Sequence, residues 1–157
     1  MAAESGQPLP AIKSVDTPVK FKGRIIGGCL DTLITLCGTR FDKVKGFTEK
    51  YKEDGIIWFI ESCDLSMLQI RRALFQFKNA GWFNHASGFI FGRPCHFNET
   101  EIGVSAYNAV TSVLGDFDKY IVMDADIGHL PPTIPIVSGA IADVTVDDNI
   151  SIQYIYE

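Results

Sequence analysis

Apolar positions along this chain fall into short blocks separated by glycine and charge, and the spacing within each block predicts its element. Gly23 to Gly27 reads as a short apolar strand running into Gly27-Gly28. Cys29 to Leu36 suits a short helix closed by Gly38. Thr39 to Asp54 is polar and mixed, with a helical turn around Phe47 to Tyr51. Ile56-Ile57-Trp58-Phe59-Ile60 is a continuous apolar run bounded by Gly55 and Glu61, the pattern of a parallel strand covered on both faces. Met67, Ile70, Leu74 and Phe77 then recur at helical spacing, with Asp64 placed to cap that helix and Gly81 to stop it. Ser87 to Phe91 is another apolar strand, and Gly103 to Leu114 carries Val104, Tyr107, Val110 and Leu114 on one helical side. Lys119 to Met123 is a further strand. From Ile134 to Tyr156 the pattern alternates and is β-branched, with Asp147-Asp148-Asn149 as a turn between two strands.

Strands alternate with helices first and a β-rich segment comes after them, which predicts an α/β domain with a parallel sheet plus an antiparallel layer. Met1 to about Lys20 holds three prolines and few large apolar residues, so residues 1–20 are expected to be a tail or linker and residues 21–157 the domain. A length of 157 residues, with 46% hydrophobic and 21% charged positions, fits one globular domain with its own core. The formal net charge of −5 repels phosphate backbones, so nucleic acid is not an expected partner. No apolar run approaches the roughly 20 residues that span a bilayer. Met1 to Lys13 has no apolar signal-peptide core, and a cytoplasmic location without a membrane partner is the expectation. Cys29, Cys37, Cys63 and Cys95 form no C-x-x-C pair and are expected to be buried free thiols.

Candidate chemistry sits at the C-terminal ends of two apolar strands, where open α/β sheets tend to bind ligands. Glu61 directly succeeds the apolar run, a costly place for an acid unless it has a partner or faces a cleft; the alternative is that it marks the strand's exit into solvent. Asp124-Ala125-Asp126-Ile127-Gly128-His129 puts two carboxylates and an imidazole within one short segment, with Pro131-Pro132 stiffening the chain beyond it. Three readings of this segment stand: a general base held by a carboxylate, a metal site on Asp124, Asp126 and His129, or a turn with capping acids and a surface histidine. His85 and His96 lie in polar loop contexts, and Trp58 and Trp82 read as core. The Gly27-Gly28 turn before a helix is a weak anion-binding signal. There is no G-x-S-x-G, no Walker-type loop and no H-E-x-x-H, and no serine has the context of a nucleophile turn. The residues thus yield an acid and a base with no nucleophile.

Several blocks, in order, resemble one family. They are Gly27-Gly28-Cys29-Leu30-Asp31-Thr32-Leu33 with Leu36-Cys37-Gly38-Thr39, the run from Gly55 to Glu61, Gly81-Trp82-Phe83 with Gly88 to Arg93, and Asp126-Ile127-Gly128-His129-x-Pro131-Pro132 with Ile136 to Ala140 behind it. Over about Pro18 to Val146 the chain is similar to the C-terminal domain of the LD-carboxypeptidases, serine peptidases that include murein tetrapeptide LD-carboxypeptidase and the microcin C immunity proteins. The resemblance implies a swivelling β/β/α domain and a Ser-His-Glu triad. His129 would be the general base and Glu61 the acid that orients it, with no metal and no cofactor. It implies a murein peptide substrate cleaved at an L,D-bond during peptidoglycan recycling, or, for the immunity-type relatives, an aminoacyl-nucleotide antibiotic. A domain that kept only the fold, as a non-catalytic binding module, is the reading from another class.

One departure qualifies the resemblance. In the family the nucleophilic serine and much of the oxyanion hole lie in a preceding N-terminal domain, and neither is recognisable here. The chain is therefore expected to be inactive alone, a fragment or one half of a split protein. That N-terminal serine domain is its expected partner, and a homodimer is expected through the apolar face left exposed.

Overall fold

The computed structural model describes residues 18–156. It contains one six-stranded sheet with helices packed on it, confirming the α/β class and the mainly parallel sheet with antiparallel strands. The strands are β1 (Val19–Cys29), β2 (Ile56–Glu61), β3 (Ala86–Gly92), β4 (Tyr120–Ala125), β5 (Ile141–Val146) and β6 (Ile150–Ile155), in the order β4-β3-β2-β1-β5-β6. β1 to β4 run parallel, whereas β5 pairs antiparallel with β1, and β6 antiparallel with β5. The antiparallel strands therefore extend the same sheet.

β1 explains how both halves share one strand. Its first part, Val19 to Arg24, is in register with Val146 to Ile141, while Arg24 to Cys29 is in register with Ile56 to Glu61. The strand starts at Val19, earlier than the expected Gly23 and inside the stretch expected as linker. Val19-Lys20-Phe21-Lys22 alternates apolar and polar, as a strand with one packed face requires. The rest of that expected linker lies outside the described residues.

The helices are α1 (Leu30–Leu36), α2 (Val44–Lys50), α3 (Met67–Asn79) and α4 (Ala106–Leu114). The apolar stripe of α3 is buried: Met67, Ile70, Leu74 and Phe77 all pack into the core under one face of the sheet. The cap of α3 differs from expectation. Ser66, directly before Met67, is the N-cap and forms a reciprocal capping box with Gln69, whereas Asp64 lies in the preceding turn with its backbone N–H bound to Asp31. α4 starts later than Gly103, at Ala106, capped by the Ser105 side chain. Gly103 and Val104 lie in a small bridged turn with Glu101 instead.

Two apolar clusters flank the sheet. The helix-side cluster is built on aromatic stacking: Trp82 lies between Phe77 and Trp58, with ring centroids 4.2 and 5.9 Å away. Such pairs add ~0.5–1.5 kcal/mol each beyond their area burial. Trp82 Nε1 donates to Asp42 at 2.9 Å, so the indole is buried with its polar atom satisfied. The opposite cluster joins Ile25, Ile57, Ile90 and Val122 of the parallel strands to Ala142, Val144 and Val146 of β5. The sheet curls, so that the end of β4 and the β5–β6 turn line a common cleft of about 350 Å³. The Asp147-Asp148-Asn149 turn between β5 and β6 lies where the pattern predicts it, and Asn149 N–H closes it on the Asp147 side chain. No helix among the described residues is long and apolar enough to cross a membrane.

Candidate active site

Glu61 is the last residue of β2, and His129 lies in the loop after β4. These strands are not neighbours, since β3 separates them. The loop after β4 must therefore cross the end of β3 to reach Glu61. Gly92, the last residue of β3, permits this: a Cβ there would meet the Ile127 carbonyl oxygen at 2.4 Å and Glu61 Cβ at 3.1 Å. Gly128 completes the crossing. Its φ of +102° suits glycine, and a Cβ there would lie 2.8 Å from Glu61 Cβ and 2.9 Å from Glu61 Oε2. The loop backbone thus rests directly on the Glu61 side chain.

This brings the two candidate residues together. His129 Nδ1 and Glu61 Oε2 are 2.8 Å apart, with the Glu61 side chain 9% exposed and the His129 side chain 50% exposed. A buried carboxylate is tolerable because the imidazole satisfies it. The hydrogen bond that Glu61 accepts, then its charge, hold the imidazole above its ordinary pKa, and the carboxylates of Asp31 and Asp64 act in the same direction. Among the described residues, Nε2 of the same ring has no hydrogen-bond partner. The arrangement can take up a proton at Nε2 and stabilise the imidazolium through Nδ1.

The remaining groups of the loop face other partners. Arg93, just beyond β3, donates to Asp126 at 2.7 Å and to the Asp124, Pro131 and Pro132 carbonyl oxygens at 3.4, 3.5 and 3.4 Å. It ties both ends of the loop that carries His129. The Tyr107 hydroxyl donates to the Asp124 carboxylate, and burial together with that carboxylate pushes the phenol pKa up. Asp124 itself adopts a left-handed backbone, φ 58°, which aspartate tolerates better than most residues. The two aspartates and His129 considered as a metal site thus each have a different side-chain partner, and no cluster of three potential metal ligands occurs among the described residues.

A second brace holds the turn after Glu61. Asp31, in the first turn of α1, accepts from the Ser62 hydroxyl at 2.9 Å, the Cys63 N–H at 3.1 Å and the Asp64 N–H at 2.7 Å. Burial pushes its carboxyl pKa up, but these three donors outweigh burial and the net direction is down. Sequence reasoning does not single out Arg93 or Asp31 as functional, although both lie inside the blocks that carry the family resemblance. The signal for Arg93 is a cation at a strand end opposite an Asp-x-Asp segment.

Other expectations resolve simply. His85 pairs with Glu49 and His96 with Glu99, each at 2.9 Å, at the surface. Trp58 and Trp82 are core. The four cysteines are free, but they are half-buried rather than buried, because each lies at a strand or helix end or in a loop.

A family model described as LD-carboxypeptidase C-terminal domain matches residues 22–144. A crystal structure of muramoyltetrapeptide carboxypeptidase from Oxalobacter formigenes is 18% identical with a TM-score of 0.66, over 88% of this chain and 46% of that one. The microcin C7 self immunity protein MccF is 27% identical with a TM-score of 0.66, over 87% of this chain and 40% of that one. It has also been solved with aspartyl sulfamoyl adenosine. An MccF-like protein from Streptococcus pneumoniae, in complex with AMP, is 21% identical with a TM-score of 0.57, over 87% of this chain and 41% of that one. No curated protein matches the chain. The chain spans less than half the length of these three structures.

Proposed function

The chain belongs to the family of LD-carboxypeptidase C-terminal domains, and from that premise we propose that it supplies the base and the acid of a serine peptidase site, with His129 as base and Glu61 as the acid. The observation that supports this most strongly is the 2.8 Å bond between His129 Nδ1 and a buried Glu61 oxygen, with Nε2 left open. Donation from Nδ1–H to Glu61 fixes the tautomer whose lone pair is on Nε2.

The nucleophilic serine and much of the oxyanion hole belong, in this reading, to a separate N-terminal domain. Nε2 takes the serine proton as the serine oxygen attacks the scissile carbonyl carbon. The imidazolium is stabilised by Glu61 and then protonates the leaving amine of the terminal D-amino acid as the C–N bond breaks. Water gives its proton to the same nitrogen, attacks the acyl-enzyme, and serine is regenerated. Arg93 and Asp31 are positioning residues: one fixes the His129 loop, the other the turn behind Glu61. The substrate is the L,D-bond of a murein tetrapeptide, cleaved in the cytoplasm during peptidoglycan recycling. No metal takes part.

A second reading, an immunity-type peptidase acting on an aminoacyl nucleotide, is favoured by one observation. Identity to MccF is 27%, against 18% to the muramoyltetrapeptide carboxypeptidase. The test mixes this chain with a serine-bearing N-terminal domain of an LD-carboxypeptidase. D-alanine release from the tetrapeptide supports the first reading, and aspartate release from aspartyl sulfamoyl adenosine the second. A folded complex that cleaves neither sinks both.

A further inference from the structure

Cys63 and Cys95 are distant in sequence, yet their sulfurs lie 3.8 Å apart. The contact is built by the backbone. Cys95 N–H donates to the Ser62 carbonyl oxygen at 3.3 Å, which lays the segment after β3 alongside the turn after β2. Cys63 N–H is fixed from the other side by Asp31. Both side chains are half-buried, so a small reagent can reach them. Cys29 is different: its thiol donates to Asp31, at 3.6 Å, and it touches no other sulfur among the described residues. A disulfide needs the sulfurs at about 2.05 Å, and at 3.8 Å the two sulfurs that would bond are already in contact.

We propose that Cys63 and Cys95 are a redox modification site, a dithiol that closes reversibly to a disulfide by exchange with a low-molecular-weight disulfide such as oxidised glutathione. One cysteine, as thiolate, attacks a sulfur of the glutathione disulfide. That S–S bond breaks, and one glutathione thiolate leaves and is protonated. The second cysteine, after losing its proton, attacks the protein sulfur of the mixed disulfide and expels the second glutathione thiolate. The protein loses two electrons and two protons, and the glutathione disulfide gains them as two thiols. The Cys95 sulfur beside it, then burial, pushes the Cys63 thiol up to about 11, so the Cys63 thiol is largely protonated at neutral pH and exchange through it is slow.

The bridge would join the turn directly behind Glu61 to the loop beyond β3. Oxidation therefore restrains the backbone on which the Glu61–His129 pair rests. The inference does not depend on which substrate the site takes.

The test incubates the whole chain for hours in glutathione buffers from fully reduced to fully oxidised, then applies acid quench, alkylation and peptide mass mapping. The expected result is loss of two free thiols, mapped to one Cys63–Cys95 bond. The bond should be reversed by dithiothreitol, should vary with the square of reduced over oxidised glutathione, and should raise the melting temperature by several degrees. Cys29→Ser and Cys37→Ser should still form it, and Cys95→Ser should not. Four alkylated thiols in the most oxidising buffer would overturn the proposal. So would a stable glutathione adduct on either cysteine, or a bond to Cys29, Cys37 or a second chain.

Discussion

Replacing Gly128 by alanine should uncouple His129 from Glu61 without changing either residue. The added Cβ would lie 2.8 Å from Glu61 Cβ, where carbon atoms ordinarily stay about 3.5 Å apart, so the loop or the carboxylate must retreat by roughly 0.7 Å. The 2.8 Å bond between His129 and Glu61 then stretches to about 3.5 Å, past the range of a useful hydrogen bond. The φ of +102° adds backbone strain of ~1–3 kcal/mol for any residue with a Cβ. Two readouts report the change. The melting temperature should fall by about 3–10 °C for that loss in a domain of this size. The His129 pKa, tracked by NMR of the imidazole carbons, should drop back toward the unperturbed 6.5. Gly38→Ala is the control: its φ is +81°, but a Cβ there meets nothing within 4 Å. It should lose stability and leave His129 unchanged. A Gly128→Ala protein whose His129 titrates as in the wild type would refute the idea that loop packing on Glu61 holds the pair.

Two further outcomes concern the same pair and its brace. Glu61 holds His129 above its ordinary 6.5, so the pair's contribution to stability is complete below that value and is lost as pH rises through the raised folded pKa. The melting temperature of the wild type should exceed that of Glu61→Gln most at about pH 6, and the gap should narrow in alkali; a gap that widens would contradict the assignment. Asp31→Ala should cost about 1.5–3 kcal/mol at neutral pH in urea denaturation, because three donors on the turn after Glu61 lose a charged acceptor. Since the Asp31 pKa lies below 3.8, that cost should be present above 3.8 and fade as pH falls through the folded value. An Asp31→Ala deficit independent of pH would point to packing instead.

Local pattern carries the elements whose signal is local. The apolar run of β2, the stripe of α3 and the alternation of β5 and β6 each declare a buried face, and each lies where its pattern predicts. Two of the misses involve a long-range partner. β1 gains its first residues from antiparallel pairing with β5, a distant partner that the short alternation from Val19 to Lys22 does not identify. Asp64 lies in the turn before α3, which Asp31, distant in sequence, holds by its backbone, and Ser66 is the cap. The separate candidacies of Glu61 and His129 are legible as strand ends. Their meeting is not, because it requires the β4 loop to cross β3 at two positions with no side chain, Gly92 and Gly128. Only the ordered blocks of the family join them. The sulfur contact of Cys63 with Cys95 is likewise a product of adjacent parallel strands, β2 and β3, whose outgoing segments meet.

The proposed function rests on His129 as the proton-transferring base of a serine site and Glu61 as its orienting acid. The most direct measurement is tetrapeptide cleavage by this chain combined with a serine-bearing N-terminal domain, comparing wild type with His129→Ala under conditions where both bind the partner domain equally. The expected result is a fall in kcat of about 10³-fold or more, in line with loss of the base from a Ser-His-acid triad, with a smaller fall for Glu61→Gln. Retention of wild-type turnover by the folded His129→Ala complex would contradict it.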